Sequence, residues 1–204
     1  MSTEPIQSQA TTLFLTVEKD RVPVFFPLLG TGFTLKIKVG CSVRELLCDQ
    51  LGLSADYLEN RLQTIFLDGK TVDDVKVAVV QEGATLALSA AMPGLAGATL
   101  RRGGAYAAMR HQITHQKKLE KEMVKEGTIQ VKLFNLVTRD IGPMFLEQGI
   151  WISGDRLHNF FQKAPAHFWT GCSAAEIDGI YREVDKLSHV DWEHQEVFLK
   201  LTIK

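Results

Sequence analysis

Residues 33–52 switch from a strand period to a helix period across one marked boundary, a switch that calls for a mixed α and β fold. Phe33, Leu35, Ile37 and Val39 alternate with Thr34, Lys36 and Lys38, the pattern of a strand with one buried face. Ser42 and Glu45 then form an S-x-x-E capping box, which satisfies backbone donors that the first helical turn would leave unpaired. Val43, Leu46, Leu47 and Leu51 follow as a buried helical stripe, and Gly52 ends it.

The flanking segments extend the pattern. Thr12 to Val17 reads as a strand and Glu18 to Arg21 as a charged turn. Val22 to Leu29 is a second apolar run, predicted as an edge or irregular strand because Pro23 and Pro27 interrupt it. Leu62 to Leu67 returns to strand character, Asp68-Gly69 is a tight turn signal, and Thr85 to Ser89 closes with Leu86 and Leu88 inward. Val72 to Val80 is short and mixed; with the irregular Val22 run set aside, the order is strand, strand, helix, strand, short strand, strand, which predicts a β-grasp domain.

On these residues the chain resembles a family. Val24-Phe25-Phe26, Leu28-Leu29-Gly30, Ser42-Val43-Arg44-Glu45-Leu46-Leu47, Ile65-Phe66-Leu67-Asp68-Gly69-Lys70 and Glu82-Gly83-Ala84-Thr85-Leu86-Ala87-Leu88 resemble the ubiquitin-like sulfur carriers of molybdopterin and thiamin biosynthesis. The resemblance covers roughly residues 12–95. It implies a ubiquitin-like fold and, in the carriers themselves, a terminal Gly-Gly whose carboxylate is adenylated and converted to a thiocarboxylate. Here the matching place reads Ala91-Met92-Pro93-Gly94, with one glycine.

Further on stands Leu100-Arg101-Arg102-Gly103-Gly104, which looks like the tail of ubiquitin, yet one hundred of the 204 residues follow Gly104. Cleavage after Gly104 would expose the reactive carboxylate, and paired glycines would let an extended tail enter a narrow channel. The plainer reading of residues 92–104, with glycines at 94, 97, 103 and 104, is a flexible connector. Arg101 and Arg102, before a helix predicted to start near Ala105, could also hold a phosphate or carboxylate.

Ala105 to Glu126 lacks Gly and Pro and has Lys and Glu three and four apart, so it is predicted as a long polar helix. Ile129 to Val137 reads as a strand, Thr138 to Gln148 as a helix with Pro143 near its start, and Ser153 as the cap of a helix carrying Leu157, Phe160 and Phe161. Ser173 and Glu176 form a second capping box, predicting a helix with Ile177, Ile180, Tyr181, Val184 and Leu187 on one face. Val197, Leu199, Leu201 and Ile203 alternate with Phe198, Lys200 and Thr202, a terminal strand expected to pair with the one at Ile129.

Charge and composition narrow the function classes. Twenty-three basic against 24 acidic residues, net −1, removes the blanket positive field of a dedicated duplex-DNA binder and leaves a local basic patch open. No segment approaches the ~20 apolar residues of a membrane helix. Met1 to Gln9 lacks the basic start and apolar core of a secretion signal, so a cytoplasmic protein is expected. Cys41, Cys48 and Cys172 are too scattered for a disulfide framework or a zinc ribbon.

Candidate sites follow from residue type. His111 and His115 stand four apart, a spacing that can place two imidazoles on one metal. The intervening residues lack a zinc protease's glutamate, and a third ligand would have to come from His158, His167, His189, His194 or Cys172. The run His189-Val190-Asp191-Trp192-Glu193-His194 could do acid–base work or bind a cation, and equally suits a polar loop. Cys41 and Cys172 each precede a predicted helix cap, where thiol pKa values fall. Cys172 with His167 or His194 is therefore the candidate nucleophile pair. Trp151, Trp169 and Trp192 all lie in the C-terminal half with Phe160, Phe161 and Phe168, as an aromatic core or a docking surface.

Sequence alone thus predicts an α+β chain with a β-grasp domain at 1–95, a Gly-rich connector and helix at 96–127, and a small α+β domain at 128–204. The expected role is a non-enzymatic protein-interaction or accessory module that needs a protein partner, no cofactor, no membrane and no nucleic acid, with self-association open. One alternative is the precursor of a sulfur carrier or modifier, processed after Gly104 to serve molybdopterin, tungstopterin or thiamin synthesis. Another is a cysteine-dependent enzyme using Cys172.

Overall fold

The computed structural model describes residues 10–92, 94–106, 123–192 and 195–204, and it is a mixed α+β structure as the sequence predicts. Strand β1 spans Ala10–Val17. The next apolar run forms no strand: Lys19–Phe25 is a 3-10 helix and α1 spans Phe26–Thr31. Its buried members Val22, Phe25, Leu28 and Leu29 recur every three or four residues, a helical spacing that the apolar residues between them concealed. Pro27 falls in the first turn of α1, where its missing N–H costs nothing.

The switch at 33–52 forms as predicted. After β2 (Phe33–Val39) and the short β3 (Cys41–Ser42), residues 43–50 are helical, wound as π-helix over Glu45–Gln50. The capping box closes both ways: the Glu45 N–H donates to Ser42 Oγ at 3.2 Å, and the Ser42 N–H and hydroxyl donate to Glu45 Oε2 at 2.8 Å. Ser54 caps α2 (Ala55–Asn60) by accepting the Tyr57 N–H at 3.1 Å. Strands β4 (Thr64–Leu67) and β5 (Lys70–Thr71) flank Asp68-Gly69, whose φ values of 51° and 74° make the tight hairpin turn. Strands β6 (Val79–Val80) and β7 (Thr85–Ser89) and helix α3 (Gly94–Leu100) follow.

The second half departs further. Most of the helix predicted over Ala105 to Glu126 lies outside the described residues, and its last two residues open strand β8 (Lys125–Phe134) instead. Helix α4 (Asn135–Gln148) starts before the predicted Thr138 and carries Pro143 internally; β9 (Ile150–Ser153), α5 (Gly154–Gln162) and α6 (Ala166–Thr170) come next. Ser153 stands at the start of α5 without a side-chain capping bond. The second capping box is not one. Ser173 and Glu176 lie in β10 (Cys172–Ile177), which turns through Asp178-Gly179, φ 49° and 79°, into β11 (Ile180–Arg182). A 3-10 helix (Val184–His189) leads to β12 (Glu196–Ile203).

Two compact units result: Leu29–Asp140, and Met1–Leu28 with Ile141–Lys204. These boundaries differ from the divisions at 95 and 127 read from composition. The strands beginning near Ile129 and Val197 do not pair with each other. In the unit Leu29–Asp140, β8 lies between β2, antiparallel to it, and β7, parallel to it; β4 and β5 continue the sheet beyond β7. Val131 is level with Phe33 and Leu86, and Leu133 with Leu88. All five are buried, as are Val43, Leu46 and Leu47 of the helical stripe, so this face carries the core.

In the other unit the order is β11, β10, β1, β12, β9, with β1 antiparallel to β10 and parallel to β12. Leu13, Leu15 and Val17 of β1 and Val197, Leu199 and Leu201 of β12 face a buried aromatic layer. Phe161 lies 6.0 Å from Trp192 and 6.3 Å from Phe168 between ring centroids, and Phe25 5.4 Å from Phe168. The buried Trp192 donates its indole N–H to the Leu187 carbonyl at 3.0 Å. Gly154 is obligatory here, because a Cβ would overlap the Trp192 carbonyl oxygen.

Candidate functional site

Each unit carries one candidate surface. In the unit Leu29–Asp140, the Arg101-Arg102-Gly103-Gly104 segment is a folded corner after α3. The Arg102 N–H donates to the Gln63 carbonyl at 2.7 Å, and its guanidinium donates to the Leu58 carbonyl at 2.9 Å and to Glu59 at 3.0 Å. That side chain is 9% exposed, and its Nη1 is buried without a hydrogen-bond partner. The Gly103 N–H donates to Asp73 Oδ1 at 3.3 Å and the Gly104 N–H to the Arg101 carbonyl at 3.1 Å. Asn60, Gln63, Asp73, Arg101 and Arg102 line a cleft of about 350 Å³ beside it. Glu59 and Asp73 bring carboxylates to the same corner, so an anion reaching the arginines would meet opposing negative charge. Arg102 acts here as an anchor, tying the corner to the end of α2.

The nucleophile candidate is not built as the sequence suggested. Cys172 opens strand β10 rather than preceding a helix, is 6% exposed, and donates its thiol to the Ala174 carbonyl at 3.7 Å. Burial pushes the thiol up to about 11, away from a thiolate at neutral pH. His167 lies exposed on α6 and makes no side-chain hydrogen bond to Cys172; His194 lies outside the described residues. Cys41 does stand before a helix, yet its pKa is raised, by burial first and by the nearby Glu45 charge second. Burial outweighs the helix terminus there.

The metal candidates His111 and His115 lie outside the described residues, as do Glu193 and His194 of the titratable run. His189 pairs its Nδ1 with the Ser188 hydroxyl at 3.2 Å. Among the described residues there is no group of three or more His, Cys, Asp or Glu side chains that could hold a metal ion, and no helix is long and apolar enough to cross a membrane.

The second surface takes Trp151 from the aromatic set that the sequence offers as core or docking surface, and adds Phe14, Phe198 and Tyr181, which that set lacks. The aromatic residues of the C-terminal half divide between the buried layer and the opposite, outward face of the β11-β10-β1-β12-β9 sheet. On that face Phe198 stacks 5.2 Å from Trp151 and meets Phe14 edge-on at 6.4 Å. Gly149, at φ +100°, leaves the space the Phe198 ring fills; a Cβ would overlap the ring. Phe14 is 39% exposed and Tyr181 77% exposed. By register, Tyr181, Glu176, Phe14 and Lys200 form one row across four strands, and Ala174, Thr16 and Thr202 form the next. These two rows line a shallow cleft of about 320 Å³.

The outward face of the other sheet is different, with Thr34, Lys36 and Lys38 on β2 and Thr128, Gln130 and Lys132 on β8. The signal for the aromatic face was present. Phe14, Trp151 and Phe198 occupy the alternation phase that a half-solvated strand fills with polar residues. Compared with known proteins, the chain matches no family model, no curated protein and no solved structure.

Proposed function

We propose that the chain is a non-enzymatic cytoplasmic protein-interaction or accessory module, built on a β-grasp unit akin to the sulfur carriers and docking through the aromatic sheet face of its other unit. The observation that carries this reading is that face, where Phe14, Phe198, Trp151 and Tyr181 stand where polar residues belong. Covering such area contributes about 25 cal/mol per Å² of apolar surface before the entropic cost of association is subtracted. Aromatic side chains dominate the binding energy of protein interfaces.

Support for the β-grasp comes from the unit Leu29–Asp140. Its strand order β2-β8-β7-β4-β5, with β8 parallel to β7 and a helix between β2 and β4, supports reading it as a β-grasp whose first strand comes from the far end of the segment. That origin weighs against the processed carrier, since cleavage after Gly104 would detach β8 from the middle of the sheet. The buried, raised thiol of Cys172 likewise leaves the cysteine-enzyme alternative without its motive.

Position-specific photo-crosslinking in the native host tests the module. A crosslinker at position 14 is expected to give discrete protein adducts where one at position 36 gives few; equal adducts at both would overturn the docking face. Intact mass of the same purified protein tests the carrier alternative, which requires a species ending at Gly104.

A further inference from the structure

We propose that the partner this face takes is a second copy of the chain, turned over about the direction of β1 so that the two sheets pack face to face. This inference rests on the interaction-module reading and names its partner.

The charge pattern of the face selects this partner. Glu176 and Lys200 sit level with Phe14, one on each neighbouring strand. Their backbones are therefore about 10 Å apart, two strand spacings, with the Phe14 ring between them. Among the described residues neither forms an ion pair. The row reads negative, apolar, positive, so it is antisymmetric about β1.

Isologous interfaces require self-complementarity, each surface element meeting its symmetry mate. A twofold axis lying in the interface along β1 exchanges left and right. It sets Glu176 against Lys200 of the second copy, twice per dimer, and brings Phe14 onto its own counterpart. The row of Ala174, Thr16 and Thr202 is small and uncharged, so it meets its own copy without repulsion. A copy turned about an axis across the strands would instead bring Lys200 toward Lys200. Charge selects the first arrangement, and the usual ~30° twist between packed sheets lets the larger side chains interdigitate.

The area sets the strength. The rows of four and three residues, with Thr12, Phe198 and Trp151 as a third, hold ten outward positions of about 4.8 by 6.7 Å, a footprint near 320 Å² per copy. Both copies together bury about 640 Å², below the size of a standard stable interface. The dimer is accordingly weak and concentration-dependent.

Sedimentation equilibrium of the full chain, from low micromolar to about 100 μM, tests this. The wild type is expected to move from monomer to dimer across the range. Lys200→Glu or Glu176→Lys places like charges opposite twice per dimer and should weaken it by about tenfold or more. The double reversal, Lys200→Glu with Glu176→Lys, should restore it to within about threefold, a recovery no general loss of folding could mimic. Far-UV circular dichroism confirms each variant is folded. A wild type that stays monomeric throughout, or a dimer indifferent to both single reversals, overturns the proposal. A monomer whose position-14 crosslinks still select one other protein leaves the interaction-module reading standing.

Discussion

Replacing Leu133 by alanine probes whether β8 is an inner strand. Leu133 is 1% exposed and level with the fully buried Leu88 of β7. Three carbons leave the core, worth about 2.4 kcal/mol at roughly 0.8 per buried methylene, and the cavity left behind brings the expected loss to about 2–5 kcal/mol. With an m-value near 2 kcal/mol per molar urea, the midpoint should fall by about 1–2.5 M. The comparison is Lys132→Ala, one residue away on the outward face, where about 0.5 kcal/mol is expected. The three tryptophans, Trp151, Trp169 and Trp192, all lie in the other unit, so far-UV circular dichroism rather than fluorescence must follow the transition. If Leu133→Ala shifts the midpoint no more than Lys132→Ala, the strand is not inside the sheet and the proposed β-grasp fails with it.

Gly154→Ala should destabilise by about 1–3 kcal/mol through overlap with the Trp192 carbonyl, visible as an earlier tryptophan fluorescence transition in urea. Arg102→Ala should cost about 1–3 kcal/mol, because it strands the Leu58 carbonyl and removes a nearly buried side chain; a loss under about 0.5 kcal/mol would contradict the anchor. Cys172 should react slowly with a disulfide reagent at pH 8 and rapidly once unfolded. Its folded thiol, pushed up to about 11 from 9.0, stays neutral where the unfolded one ionises. The stability it contributes is therefore complete below pH 9 and lost as pH rises through about 11, roughly 2–3 kcal/mol, and a Cys172→Ala variant should lack that loss.

What was legible in the sequence was local. The switch at 33–52, the cap at Ser42 and the Asp68-Gly69 hairpin all use residues within a few positions of one another. The same local grammar misled at Ser173, where an identical S-x-x-E spacing stands ahead of Asp178-Gly179. That pair, flanked by Ile177 and Ile180, is a hairpin signal, and Asp178 is further held by the Thr12 N–H at 2.7 Å and hydroxyl at 3.0 Å. No residue near Ser173 reports a partner more than 160 positions away. The parallel pairings were hidden for the same reason: Ala10 with Glu196 and Ala87 with Lys132 leave no short-range mark. They decide which strands share a sheet, and so they redrew the units. At the candidate sites, residue type and spacing found Arg102 and Cys172, but burial decides what each can do, and burial comes from the tertiary fold.

Cleaving the folded protein tests the central claim most directly, namely that the residues on either side of Gly104 fold as one inseparable structure. With a protease site placed after Gly104, the two fragments should co-elute in native size exclusion and part only in denaturant. The cause would be that β8 lies between β2 and β7, and β1 between β10 and β12. A fragment ending at Gly104 that elutes alone and folded would contradict the account.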